Sequence, residues 1–198
     1  MRISSAAIAT LAVAGLASAP IGVLARPGTA AKACATSGYS YRGHASSGPV
    51  NAVSATITAV APPVVASGHA AAWVGVGERR AHRWLQAGLA AFRGTTLRLY
   101  YELSLPGTPR RYVELDRTIR PGEPHHVAVA QSAPGFWRVE IDGVAATRPI
   151  YLPNTSGWRG VATAESWSAG GRACNSYGYR FEGVAGAGPS PAFTAQTR

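Results

Sequence analysis

The sequence predicts an all-β domain, an antiparallel β-sandwich, from three observations. Among 198 residues there are 23 Gly and 14 Pro but one Met, and the single lysine is Lys32. A chain so rich in turn formers and so poor in long helix formers suits many short strands. Apolar or alternating runs of strand length recur along it, each bounded by Gly, Pro or Asn. Within several runs the residues divide by parity into an aliphatic face and an aromatic–polar face, the period of a pleated strand. Charged residues make up only 14%, with 5 Trp, 8 Tyr and 4 Phe, so the chain is not a disordered polyelectrolyte.

Residues 1–25 read as a secretory signal peptide. Arg2 precedes an Ala/Ile/Leu/Val stretch, and Val23-Leu24-Ala25 offers small or branched residues for a cut after Ala25. No later apolar stretch is long enough to span a bilayer, so the expectation is a secreted, extracellular protein with no membrane association once the leader is removed. One sandwich domain then occupies residues 26–184. Its predicted strands fall near 38–43, 50–60, 70–76, 83–89, 96–104, 111–116, 125–131, 136–141, 144–150, 160–167 and 177–184. Asp142-Gly143 is a two-residue hairpin turn between Val139-Glu140-Ile141 and Val144. Arg120-Pro121-Gly122-Glu123-Pro124 is a turn that launches the strand through His126. Residues 185–198, rich in Gly, Ala and Pro, are expected to form a flexible tail.

The net charge is +10, yet all basic residues but Lys32 are arginines and none forms a run of five. Arg79, Arg80, Arg83 and Arg110, Arg111 are the densest groups, so no nucleic-acid partner is expected. Two cysteines are too few for a disulfide framework or a four-cysteine zinc site. Export favours a single disulfide between Cys34 and Cys174, tying the start of the domain to its final strand. The flanks of the two cysteines are alike, Gly38-Tyr39-Ser40-Tyr41 against Gly178-Tyr179-Arg180-Phe181, which suggests two similar terminal strands lying near each other. A monomer without metal or cofactor is the expectation.

Four runs carry the chemistry. Trp73, Gly75 and Gly77 oppose Ala72, Val74 and Val76; Trp84, Gln86 and Gly88 oppose Leu85, Ala87 and Leu89. Tyr100, Glu102 and Ser104 oppose Leu99, Tyr101 and Leu103; Thr163, Glu165 and Trp167 oppose Ala162, Ala164 and Ser166. If these strands share a sheet, Trp73, Trp84, Tyr100 and Trp167 form a floor around Gln86, Glu102 and Glu165. Aromatics beside a few convergent polar groups build a binding cleft; the same alternation also fits an exposed amphipathic sheet face.

These stretches, Ala72-Trp73-Val74-Gly75-Val76-Gly77, Leu85-Gln86-Ala87-Gly88, Tyr100-Tyr101-Glu102-Leu103 and Ala164-Glu165-Ser166-Trp167, resemble the glutamic peptidases, the eqolisin family. Their order and spacing are similar, with Gln86 thirteen residues after Trp73 and Glu102 sixteen after Gln86. The resemblance covers roughly residues 50–184. It implies a concanavalin A-like jelly roll with Gln86 and Glu165 as the catalytic dyad. It also implies a polypeptide substrate lying against Trp73, Tyr100 and Glu102, and Trp84 and Trp167 join these substrate-binding residues as members of the aromatic floor. The chemistry is sound for those side chains. A carboxylate can take a proton from water and return it to a leaving amine, while a neighbouring amide steadies the oxyanion without titrating.

Other chemistry is weaker. Adjacent His125 and His126 point to opposite faces of a strand and cannot chelate one ion together. No Gly-x-Ser-x-Gly elbow, phosphate-binding glycine loop or His-Glu-x-x-His occurs. Glu102 with Glu165 could act as a glycosidase-like carboxyl pair, whereas Glu114/Asp116 and Glu140/Asp142 alternate with aliphatic residues as solvated faces do. Asn154-Thr155-Ser156 is a glycosylation sequon. Two functions therefore stand: an acid-acting endopeptidase, and a non-catalytic, lectin-like module binding glycans or peptides on the same aromatic floor.

Overall fold

The computed structural model describes residues 37–78, 82–171, 173–189 and 191–197. The expected leader at 1–25 and Cys34 lie outside the described residues. Thirteen strands follow one another: β1 (Ser37–Pro49), β2 (Ala52–Ala59), β3 (His69–Glu78), β4 (Arg83–Phe92), β5 (Arg98–Ser104), β6 (Arg111–Thr118), β7 (Pro124–Ala133), β8 (Phe136–Ile141), β9 (Val144–Ala145), β10 (Ile150–Tyr151), β11 (Arg159–Ala169), β12 (Tyr179–Ala187) and β13 (Phe193–Thr197). No helix occurs among the described residues.

All pairings are antiparallel and build two sheets. Seven strands run in the order β13-β1-β11-β3-β4-β5-β6; the second sheet runs β10-β8-β7-β2-β12, with β9 paired to β8. The aliphatic parity of each strand makes the layer between them. Ala72, Val74 and Val76 of β3, with Leu85, Ala87 and Leu89 of β4, are buried with Val53, Ala55 and Ile57 of β2 and Val127 and Val129 of β7. Burying these side chains is the main term favouring the fold, at about 25 cal/mol per Å² removed from water. The opposite faces of β11, β3, β4 and β5 are left side by side on the outer surface of the seven-stranded sheet. The single aromatic–polar floor that parity predicts is therefore formed.

The hairpin turn is as read. Asp142 (φ 54) and Gly143 (φ 77) both take positive φ, the mirror-image turn that matches strand twist, and Ile141 pairs with Val144. Elsewhere the structure differs from expectation. The run 144–150 is two short strands rather than one: Pro149, just before β10, has no N–H for a ladder. Thr147 Oγ1 accepts the Val139 N–H at 3.0 Å, so a side chain serves that part of the β8 edge. The described residues of the expected tail at 185–198 do not hang free, since β12 runs to Ala187 and β13 pairs with β1 from Arg42↔Thr197 to Ser46↔Phe193. Phe193, packed against the core, is the anchor that the Gly/Ala/Pro composition hid. The two look-alike terminal strands also fall in different sheets, β1 beside β11 and β12 beside β2.

Candidate active site

The cross-strand register sets the site. Gln86 on β4 lies opposite Gly75 of β3 and Glu102 of β5. Glu165 on β11 lies opposite Tyr41 of β1 and Ala71 of β3. Trp73 stands between Thr163 and Gly88, and Tyr100 is on the far side of that glycine. Large polar or aromatic side chains thus alternate with Gly or Ala, and each leans over a small neighbour. Gly88 is fixed by this crowding: a Cβ there would collide with the Ala72 carbonyl oxygen.

Glu165 is buried, with 6% of its surface exposed. Both carboxyl oxygens have a nitrogen partner on β3: Trp73 Nε1 donates to Oε2 at 2.9 Å, and His69 Nε2 lies 2.7 Å from Oε1. Gln86 is equally enclosed and donates from Nε2 to the Tyr100 hydroxyl at 3.2 Å. Glu102 Oε1 accepts the Trp84 Nε1–H at 3.0 Å, and Arg110 Nε lies 3.5 Å from the same oxygen. The Arg110 guanidinium sits 4.9 Å above the Trp84 ring, closing that end of the site.

A cavity of about 300 Å³ opens over this floor, lined by Gln86, Glu165, Tyr100, Glu102 and Trp167 among others. Tyr39, His69, Phe92 and Tyr112 wall it. Burial pushes the Glu102 carboxyl above its ordinary value, and the Trp84 hydrogen bond and Arg110 only partly oppose this. Burial likewise holds the Tyr100 phenol well above its usual range, with the Glu165 and Glu102 charges adding to the effect. Tyr100 therefore stays neutral, accepting from Gln86 while keeping its own O–H to donate.

Of the seven residues expected at the site, Gln86, Glu165, Tyr100, Glu102 and Trp167 meet at the cavity. Trp73 and Trp84 serve it from behind, each presenting its indole N–H to one of the carboxylates. Sequence reading missed His69, although it shares parity with Ala71 and Trp73, because the predicted strand starts one residue too late. Phe92 is on the Gln86 parity of β4 and was lost in the same way at the other end. Asn175 carried no signal at all. Its Oδ1 accepts the Ala66 and Ser67 N–H groups at 2.9 and 3.1 Å. Its Nδ2 donates to the His69 carbonyl at 3.2 Å and to Ser166 Oγ at 2.9 Å. One amide thus stitches the start of β3 to β11 beneath the His69–Glu165 pair. His125 and His126 do part company as expected: His125 is buried with Nδ1 2.9 Å from Asp142 Oδ2, and His126 is exposed.

No family model matches the sequence, and no curated protein matches it. Among solved structures the fold is similar to that of scytalido-glutamic peptidase bound to a transition state analog inhibitor, with a TM-score of 0.57 and 18% identity over 82% of this chain and 88% of that one. It is similar as well to SCP-B, a member of the eqolisin family of peptidases in complex with the tripeptide Ala-Ile-His, with a TM-score of 0.55 and 17% identity over 82% and 88% of the two chains. At these identities the likeness establishes the shared jelly-roll fold, the one implied by the four short motifs.

Proposed function

We propose that this protein is a secreted endopeptidase, active at acidic pH, in which Gln86 and Glu165 activate water for peptide-bond hydrolysis. The observation that carries the reading is the burial of both side chains against one cavity, with the Glu165 carboxylate held by two side-chain nitrogens. In the reaction a water oxygen bonds to the scissile carbonyl carbon as Glu165 takes the water's proton. Gln86, whose amide has a second N–H beyond the one given to Tyr100, donates to the developing oxyanion. The C–N bond then breaks, the amine nitrogen takes the proton from Glu165, and the carboxylate is restored. Trp167, Tyr100 and Glu102 line the polypeptide's path, and Trp73 and Trp84 hold the two carboxylates. The same reading includes cleavage of the leader after Ala25, a Cys34–Cys174 disulfide and a monomer.

The test is incubation of the mature protein with a denatured protein substrate across about pH 2–7, beside Gln86→Ala and Glu165→Ala. We expect each substitution to lower cleavage by about 10²–10⁴-fold, the usual worth of a proton-transfer or oxyanion group. Cleavage unchanged in both variants refutes the dyad. No cleavage by the unsubstituted protein at any pH leaves the lectin-like reading, in which the same aromatic cavity binds a glycan or peptide.

A further inference from the structure

We propose that His69 is the positioning residue of this dyad: from Nε2 it holds Glu165 in place, and the positive charge it can carry there makes the low-pH end of cleavage depend on it. The inference rests on the peptidase reading above and goes beyond the dyad that reading names. Of the two partners of Glu165, the Trp73 indole is a donor that never changes charge. His69, 2.7 Å from Oε1, is the partner that can carry a positive charge. Glu165 can take a proton from water only while it is itself a carboxylate, and an adjoining positive charge favours that form.

The surroundings fix the imidazole in this role. Its ring stacks on Trp167 with centroids 6.3 Å apart, meets Tyr39 edge-on at 6.0 Å, and lies 5.6 Å from Phe92. Rings on several sides suit a cation. Its backbone carbonyl accepts from Asn175 Nδ2 and Ser166 Oγ, which anchors the residue at the start of β3. The titratable and charged groups around the pair come from several elements. Tyr39 and Tyr41 belong to β1, Tyr100 and Glu102 to β5 and Tyr112 to β6, while Arg110 lies just before β6 and Tyr177 just before β12. Burial keeps Tyr41, Tyr100 and Tyr112 protonated far into the alkaline range. Arg110 is engaged with Glu102 at 3.5 Å, whereas His69 is in contact with Glu165 itself.

The experiment measures kcat/KM against pH, with a thermal melt of each protein, for the mature chain and for His69→Gln and His69→Lys. Gln keeps a neutral N–H donor, and Lys keeps the positive charge. In His69→Gln the acid limb should move to higher pH by at least about 1 unit, an opposite charge at this range being worth 1–3 units. At a pH on that limb the loss is about tenfold, and it exceeds the loss on the plateau. His69→Lys should recover part of the limb. A His69→Gln profile that superimposes on the unsubstituted one overturns the proposal, as does an equal loss at every pH with a lowered melt, which is a packing role only. If His69→Gln does not fold, His69→Met supplies the neutral comparison with His69→Lys. An enzyme that needs Glu165 and Gln86 but ignores the charge at residue 69 sinks this inference alone. Cleavage indifferent to Gln86→Ala and Glu165→Ala sinks the peptidase reading and this one with it.

Discussion

Glu102 and Glu165 share a cavity yet are held differently. Glu165 spreads its two oxygens over two nitrogen partners on β3, whereas Glu102 presents one oxygen to both Trp84 and Arg110. Burial wins at Glu102, raising it from the ordinary carboxylate value of 4.5, and the negative charge of Glu165 pushes the same way. A carboxyl raised by folding binds its proton more readily in the native than in the unfolded chain. Folding therefore gains as pH falls from the raised native value towards 4.5, and above that window the ionised Glu102 weighs against the fold. Glu102→Gln, which removes the charge and keeps the shape, should raise the Tm at pH 7. The advantage should shrink as pH drops through the window. A Tm that is unchanged or lower at pH 7 contradicts the burial argument. Glu102 and Glu165 could be picked from sequence because each stands on an aromatic parity among few acids. His69 could not, because it stands one residue before the predicted strand and its partner Glu165 is on β11, about a hundred residues away in the chain.

At the scale of the strands, the site depends on where side chains are missing. Ala71 and Gly75 on β3, with Gly88 and Ala90 on β4, leave the room into which Glu165, Gln86 and Trp73 lean. Parity alone does not single these glycines out. Pairing explains them: a Cβ on Gly88 would meet the Ala72 carbonyl oxygen and come within 2.7 Å of Trp73 Cα. Backbone atoms cannot rotate aside as a side chain can, so relief means moving β3 against β4. Gly88→Ala should therefore destabilise the fold by about 1–3 kcal/mol, the usual cost of overpacking. It should also lower activity beyond that loss, because Trp73, which holds Glu165, sits on the displaced stretch. Urea unfolding and cleavage assays on one preparation test both. A variant as stable as the parent shows that the strands have slack. Strand existence was legible because it rests on local alternation and on Gly/Pro punctuation. The ends were less so: the run at 144–150 breaks before Pro149, and β13 is held by one aromatic, Phe193.

Across the whole molecule, the site exists because strands far apart in sequence become neighbours. β11 pairs with β3 over the register Arg159↔Gly77 to Trp167↔His69, bringing Glu165 to Trp73 across some ninety residues. Local pattern can propose that four faces share a sheet, but strand order is settled by how the apolar faces of all the strands are covered at once. The segment after β11 has a special part in that closure. It carries Asn175, which ties the entry of β3 to β11, and Cys174 immediately before it. On our proposal Cys174 is bonded to Cys34, closing a loop of some 140 residues, for which the chain-entropy model gives at most about 4–5 kcal/mol. Cys34→Ser and Cys174→Ser should then lower the Tm by the same amount under oxidising conditions. The double variant should fall no further, because either substitution alone removes the whole cross-link. A reducing agent should bring the unsubstituted protein down to the level of the variants. Unequal losses, additive losses, or a melt indifferent to reductant would each mean that the two ends of the domain are joined by packing alone.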